Sequence, residues 1–90
     1  MKVEGHIQFP QGANLQIIKL ALDKHIELTR AEPGCILFEV TAHSEIRGRF
    51  NVKEEFESKE AFELHQERTQ KSEWAEVSNN GLRHYTIHEV

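Results

Sequence analysis

The chain has 90 residues and a mass of 10.5 kDa, so residues 1–90 are predicted to form a single domain. Its net charge of −4 argues against a general nucleic-acid-binding protein, which needs a basic surface. No apolar run approaches the roughly 20 residues that cross a bilayer, which excludes a membrane-spanning helix. The first residues lack the apolar stretch of a secretion signal and Cys35 is the single cysteine, so we expect a cytoplasmic protein.

The first half of the chain predicts two strands separated by a helix. Residues 2–9 alternate between apolar and polar side chains, which is typical of a strand. Asn14 is a good N-cap, and residues 15–31 place a wide apolar stripe along one side of a helix. The Pro33-Gly34 pair ends that helix, and residues 35–42 follow as a strand rich in β-branched and aromatic side chains.

The second half predicts a strand, a helix and a last strand. Residues 43–48 have the length of a hairpin connection, and residues 49–57 alternate as a strand. Ser58 is the expected N-cap of a second helix. Trp74 falls on the side of this helix opposite its apolar face, so the helix either breaks near residues 69–72 or is buried on two sides. Residues 83–90 then close the chain as a strand.

The predicted order of elements is therefore β-α-β-β-α-β. Right-handed crossovers between these elements give a four-stranded antiparallel sheet with both helices on one face. This is the ferredoxin-like arrangement of the α+β class.

The middle of the chain resembles the antibiotic biosynthesis monooxygenase (ABM) domain family. Residues 32–40 (EPGCILFEV) are similar to its E-P-G-C-x-x-[FY]-[DE] hallmark, and residues 49–61 to its third strand and the entry into its second helix. His65, Thr69 and Trp74 fit the H-x-x-x-T-P-H-x-x-x-W trend of that helix. Gln70 and Lys71 stand in place of the proline and the second histidine, which weakens any mechanism that needs two histidines on this helix.

The resemblance implies a ferredoxin-like domain that forms a homodimer through its sheet, a dimeric α/β barrel, with a pocket between sheet and helices. Members include cofactor-free monooxygenases of phenols, quinol monooxygenases, haem-degrading enzymes and an isomerase of the autoinducer-2 pathway. The leading expectation is a monooxygenase that oxidises a small phenolic or quinol-type molecule with O₂ and without a cofactor. The alternatives are an acid/base isomerase of a small hydroxy-ketone and a non-catalytic module that binds a small aromatic or quinone-like molecule.

Three ionisable residues lie on faces that are otherwise apolar, and they are the catalytic candidates. His25 and His65 sit near the centres of the two helix faces, and Glu54 alternates with apolar residues on its strand. Such groups must be paired, shifted in pKa or placed beside a solvated pocket. We expect His65 or His25 to remove a proton from the substrate while Glu54 orients the imidazole. The alternative is that Glu54 hydrogen-bonds one histidine and only ties helix to sheet.

Four further residues are candidates for binding the substrate. Trp74 is a possible lid or stacking wall, and Phe50 and Phe56 would exclude water from reactive intermediates. Arg68, one turn after His65, would hold an anionic oxygen or pair with Glu54.

No metal or cofactor is expected from the sequence. His84 and His88 are four residues apart, which spans about 13 Å on a strand and is too far for chelation. His6 lies in a different segment and shows no metal-ligand spacing. The resemblance implies that a haem-degrading member would carry a histidine ligand soon after the helix tryptophan, and no histidine follows Trp74 before His84. No glycine-rich phosphate-binding motif is present.

Overall fold

Four strands and three helices alternate along the chain in a computed structural model that describes residues 1–89. They are β1 (Lys2–Gln8), α1 (Leu15–Arg30), β2 (Cys35–Ala42), β3 (Arg49–Phe56), α2 (Lys59–Gln70), α3 (Glu73–Val77) and β4 (Leu82–His88). The predicted ferredoxin-like order is confirmed. The predicted end of the last strand at Val90 lies outside the described residues.

Side-chain caps fix where the helices begin, as the sequence predicts. Asn14 Oδ1 accepts hydrogen bonds from the backbone N–H groups of Gln16 and Ile17, at 3.1 and 3.3 Å. Ser58 Oγ accepts one from the N–H of Ala61 at 3.1 Å. These bonds satisfy donors that the first turn of a helix leaves without partners.

The second predicted helix breaks after Gln70, which confirms one of the two alternatives that the sequence left open and gives three helices in all. Ser72 has extended backbone angles, and its Oγ accepts a hydrogen bond from the N–H of Ala75, so it is the N-cap of a new helix. The same hydroxyl donates to the carbonyl of Thr69 at 2.6 Å and secures the end of α2. The break turns Trp74 toward the core, where it is buried.

The sheet has the strand order β2-β3-β1-β4, and every neighbouring pair is antiparallel. Alternate side chains of the two central strands are buried under the helices, including Val3, Ile7, Phe50, Val52 and Phe56. The outward-facing residues between them are mostly polar, which confirms that the helices cover one face.

The edge strand β4 is the least covered part of the sheet. α1 packs over β2 and α2 packs over β3, whereas all seven residues of β4 are exposed. The inner face of the sheet is therefore open on the β4 side. None of the helices between residues 1 and 89 is long and apolar enough to cross a membrane.

Candidate active site

A cavity of about 60 Å³ lies between the helices and the inner face of the sheet. Its walls are apolar and include Ile7, Leu22, Phe38, Val52 and Trp74. Its polar groups come from both layers of the fold: Glu54 from β3 of the sheet, and His25 of α1 with His65, Gln66 and Thr69 of α2 from the helix layer. Arg83 and Tyr85 of β4 line its exposed side, which is the mouth. A small apolar cavity with converging polar groups is the usual form of a ligand site.

His65 is the central ionisable group of the cavity. It lies in the middle of α2 with its side chain 3% exposed, and its Nδ1 is 2.7 Å from Glu32 Oε1. Because a carboxylate only accepts, this contact assigns the hydrogen to Nδ1 and leaves the lone pair on Nε2. Glu54 Oε1 and Thr69 Oγ1 lie 3.6 and 3.5 Å from Nε2. Nε2 is therefore free to accept a proton from a molecule in the cavity.

The protonation of His65 is set by two opposing influences. Burial lowers its pKa, and this effect is larger than the upward influence of the hydrogen bond and charge of Glu32. The imidazole is therefore neutral at neutral pH. Once it gains a proton, the Glu32 carboxylate stabilises the imidazolium.

Glu54 is a buried carboxyl whose proton affinity is matched to neutral pH. Its Oε1 is buried and has no hydrogen-bond partner among residues 1–89. Burial, and then the negative charge of Glu32, raise its pKa to about 7. Such a group can both donate and accept a proton at physiological pH.

His25 completes the polar group of the cavity but is poorly suited to be a base. Burial, followed by repulsion from His65, lowers its pKa to about 3. Its ring stacks on Trp74, with centroids 5.6 Å apart and planes inclined by 16°, and meets the edge of Phe38 at 5.4 Å. Its Nδ1 is buried and has no hydrogen-bond partner in the described part of the chain. The geometry suits a neutral imidazole that hydrogen-bonds a ligand, with Trp74 as a wall behind it.

The structure brings four of the seven predicted site residues to the cavity and leaves three outside its lining. Arg68 points away and binds Thr29 Oγ1 at 2.9 Å and Glu32 Oε1 at 3.2 Å, so it pairs with Glu32 rather than with Glu54. Phe56 lies against His65, with ring centroids 4.9 Å apart. Phe50 packs in the core, with its ring centroid 5.9 Å from that of Phe9. These three residues therefore support the cavity from outside it.

Sequence reasoning did not select Glu32, Arg83 or Tyr85. Glu32 follows His25 by seven residues, so helical spacing extended past the end of α1 would have placed both on one face. Arg83 and Tyr85 are alternate residues of the last strand, and strand alternation alone puts both on the same face as Ile87. No three histidine, cysteine or acidic side chains in the described range are grouped so that they could hold a metal ion.

Comparison with known proteins identifies a family and a fold. The family model described as antibiotic biosynthesis monooxygenase matches residues 1–77. No curated protein matches the chain.

Three solved structures that carry the same family name are similar to the whole chain. The one from Nitrosomonas europaea is 18% identical with a TM-score of 0.82, and the match covers 100% of this chain and 98% of that one. The one from Deinococcus radiodurans is 20% identical with a TM-score of 0.79, covering 100% and 92%. The one from Bacteroides thetaiotaomicron is 16% identical with a TM-score of 0.81, covering 99% and 88%. At these identities the likeness is one of fold.

Proposed function

Since the chain belongs to the antibiotic biosynthesis monooxygenase family, we propose that it is a cofactor-independent monooxygenase of a small phenolic or quinol-type molecule. One observation carries the proposal. His65 is held by the Glu32 carboxylate at Nδ1, and its Nε2 is free inside an apolar cavity that also contains Glu54. A base oriented by a carboxylate is the arrangement that activates an acidic hydroxyl.

The chemistry begins with proton transfer from a substrate hydroxyl to His65 Nε2. The resulting phenolate is rich in electrons and gives one electron to O₂, and the two radicals join at a ring C–H carbon as a peroxide anion. The protonated His65 returns its proton to this anion, which becomes a hydroperoxide. Glu54 then supplies a proton to the departing hydroxide and takes the proton of the same ring carbon, so that water is lost and a carbonyl remains. A quinol and one O₂ thus yield a hydroxylated quinone and one water. The apolar walls keep bulk water from the radical pair.

The size of the cavity favours a substrate with one ring. Its volume of about 60 Å³ is smaller than the roughly 150 Å³ of a cavity that binds benzene. A ring therefore occupies the cavity only in part and extends through the mouth, where Arg83 and Tyr85 lie on the uncovered strand. A polycyclic phenol would require a larger opening than this.

Isomerisation of a small hydroxy-ketone is the second candidate, and Arg83 is the observation that favours it. The same pair, His65 and Glu54, can move a proton between neighbouring carbon atoms without O₂. A phosphorylated substrate of this kind needs a cation at the cavity mouth, which Arg83 provides.

An oxygen electrode separates these functions. We expect purified protein to consume O₂ above the autoxidation background with at least one member of a panel of single-ring quinols. His65→Ala should reduce this rate by about 10²–10⁴-fold while circular dichroism and Trp74 fluorescence show an intact fold. His88→Ala removes an exposed histidine outside the cavity and is the matched control.

The remaining outcomes identify the alternatives. No consumption with any quinol, together with interconversion of hydroxy-ketones under nitrogen, would replace the monooxygenase with an isomerase. Ligand-dependent thermal stabilisation without turnover would indicate a binding module. Loss of the fold in His65→Ala would mean that His65 is a core residue.

We further propose that two copies pair through the sheet. The face without helices is lined by polar residues, including the cross-strand row of Glu39, Lys53 and Glu4, in which opposite charges alternate. An interface on this face would be held by hydrogen bonds and charge pairs, and it would be weakened by salt. Light scattering with size-exclusion chromatography should give twice the 10.5 kDa chain mass, and a monomer at all concentrations would refute the pairing.

A further inference from the structure

Arg83 is a positive charge held in a fixed position at the mouth of the cavity. It stands opposite Ile7 in the ladder between β4 and β1, and Ile7 is buried under the helices, so Arg83 lies on the inner face of the sheet. Its guanidinium is tied to the end of α3, because Nη2 donates to Ser78 Oγ at 2.7 Å and Nη1 donates to the Ser78 carbonyl at 3.3 Å. Ser78 is itself fully buried, and its hydroxyl donates to the carbonyl of Trp74 at 2.5 Å. The fold therefore fixes the orientation of this arginine beside the cavity.

These contacts occupy only one edge of the guanidinium. An arginine carries five N–H donors. Nη1 is directed at the carbonyls of Ser78 and, at 3.5 Å, of Gly81, and one hydrogen of Nη2 is directed at Ser78 Oγ. The hydrogen of Nε and the second hydrogen of Nη2 form the other edge, and they have no acceptor within residues 1–89. Two parallel N–H groups on one guanidinium edge match the two oxygens of a carboxylate.

The protein leaves this charge without a counter-ion. No acidic side chain in the described range forms an ion pair with Arg83, although the chain has 15 acidic residues against 11 basic ones. Glu54 is the one acidic residue of the cavity lining, and burial followed by the charge of a neighbouring carboxylate raises its pKa to about 7. Burial also raises the pKa of the Tyr85 hydroxyl, against the opposing charge of Arg83, so Tyr85 is a neutral donor beside it. Below neutral pH, an anion at the mouth therefore meets attraction from Arg83 and little repulsion from the lining.

The position of Arg83 indicates which substituent the substrate carries. A ring whose hydroxyl reaches His65 fills the cavity of about 60 Å³ only in part, so its far side extends through the mouth beside Arg83. A neutral hydroxyl there would use one of the two unoccupied N–H groups, whereas a carboxylate would use both. We propose that the substrate is a hydroxylated benzoate, whose carboxylate binds the unoccupied edge of Arg83 while its hydroxyl is presented to His65. This inference rests on the proposed function for the reaction, in which the carboxylate takes no part.

Calorimetric titration under nitrogen, where no oxidation occurs, tests the carboxylate subsite apart from the reaction. The probes are gentisate, which is para-hydroquinone with one ring carboxylate, and its methyl ester, which has the same ring without the charge. We expect the wild type to bind the acid about tenfold more tightly than the ester, because a hydrogen bond to a charged group contributes about this much. Arg83→Gln should bind the two probes equally. Arg47→Gln is the matched control, since it removes an exposed arginine that also donates to a backbone carbonyl but lies outside the cavity, and it should keep the preference of the wild type.

Oxygen consumption then connects the subsite to turnover. Arg83→Gln should raise the KM of gentisate to that of its methyl ester. A purely structural role of Arg83 would instead weaken both probes in proportion and keep their ratio. The preference of the wild type for the acid needs no variant, so it remains a test if Arg83→Gln does not fold.

The outcomes separate this inference from the proposed function. Equal binding of acid and ester by the wild type, or an acid preference that survives in Arg83→Gln, would overturn the inference even if the ester is oxidised. Tighter binding of inorganic phosphate than of gentisate would overturn it in favour of a phosphorylated ligand. An acid preference that depends on Arg83, without O₂ consumption, would support the carboxylate subsite and refute the monooxygenase.

Discussion

Replacing Glu54 with glutamine should stabilise the protein at alkaline pH and not at acidic pH. The carboxyl is 8% exposed and its Oε1 has no hydrogen-bond partner in the described chain, so ionising it in the folded state costs free energy. The folded protein holds this proton up to a pKa of about 7, whereas the ordinary value is 4.5. Glutamine has nearly the same shape and never ionises.

The size of the effect follows from the difference between the two pKa values. Well below pH 4.5, Glu54 is protonated in both the folded and the unfolded protein, so it does not make the free energy of unfolding depend on pH. As the pH rises to about 7, the unfolded chain releases the proton first, so the free energy of unfolding falls. The loss is complete above pH 7 and amounts to about 3 kcal/mol for this separation of pKa values. Glu54→Gln removes this loss. The free energy of unfolding of the variant, relative to that of the wild type, should therefore rise by about 3 kcal/mol from acidic to alkaline pH.

Urea unfolding at fixed protein concentration, followed by Trp74 fluorescence, measures this difference at pH 4.5 and pH 8.5. Comparing the two pH values cancels any constant cost of burying the amide. Glu55→Gln is the matched control, since it makes the same change one residue away on the opposite, half-exposed face. An advantage that does not change with pH, or that Glu55→Gln shares, would refute the claim that Glu54 is forced to hold a proton.

Three other substitutions have defined outcomes. His25→Phe should make the protein less sensitive to acid. In the wild type the unfolded chain gains a proton at His25 below pH 6.5, whereas the folded histidine, whose pKa is about 3, stays neutral, so the free energy of unfolding falls by at most about 5 kcal/mol by pH 3. Phenylalanine removes this loss, which an acid titration of the circular dichroism signal checks. Gly34→Ala should lower the free energy of unfolding in urea by about 1–3 kcal/mol, since the new Cβ would stand 2.3 Å from Ala61 Cβ. Gly5→Ala should speed hydrogen exchange of the β4 amides, because its Cβ would lie 2.0 Å from the carbonyl oxygen of His84. Exchange rates or unfolding energies equal to those of the wild type would contradict each of these expectations.

The parts of the fold that depend on neighbouring residues could be predicted from the sequence. Asn14 and Ser58 cap their helices because a cap needs only the residue and the next turn. The alternation in β1 and β3 identifies the buried face because side chains point to opposite sides of any strand. The sequence does not decide whether the helix stops before Trp74, because periodicity shows only that the apolar stripe shifts to another side.

The partners within the site could not be predicted, because they depend on how the layers pack. Glu32 and His65 are separated by 33 residues, and their contact requires the turn after α1 to meet the middle of α2. From the sequence, Arg68 could pair with either of two acidic residues, Glu32 or Glu54. The position of α2 over the sheet decides that its ion-pair partner is Glu32. Alternation places Phe50 on the inner face, but it does not indicate which part of that face lies under the cavity and which part lies in the core.

Two buried atoms without a hydrogen-bond partner in the described chain support the proposal that the cavity binds a ligand and that Glu54 does more than tie β3 to α2. A structural tie would place its carboxyl within hydrogen-bond distance of a histidine, whereas Glu54 Oε1 stands 3.6 Å from His65 Nε2. His25 Nδ1 is likewise buried without a partner, and each such atom costs about 1–3 kcal/mol in a folded protein. Glu54 and His25 both line the cavity, whereas Arg68, whose Nε is the third such atom in the described chain, lies outside it. His65 has its short contact at Nδ1, on the side away from Glu54. A substrate hydroxyl placed between Glu54 and His65 would give the carboxyl a hydrogen-bond partner. Nε2 of His65 could then take the proton of that hydroxyl, which is the first step of the proposed reaction.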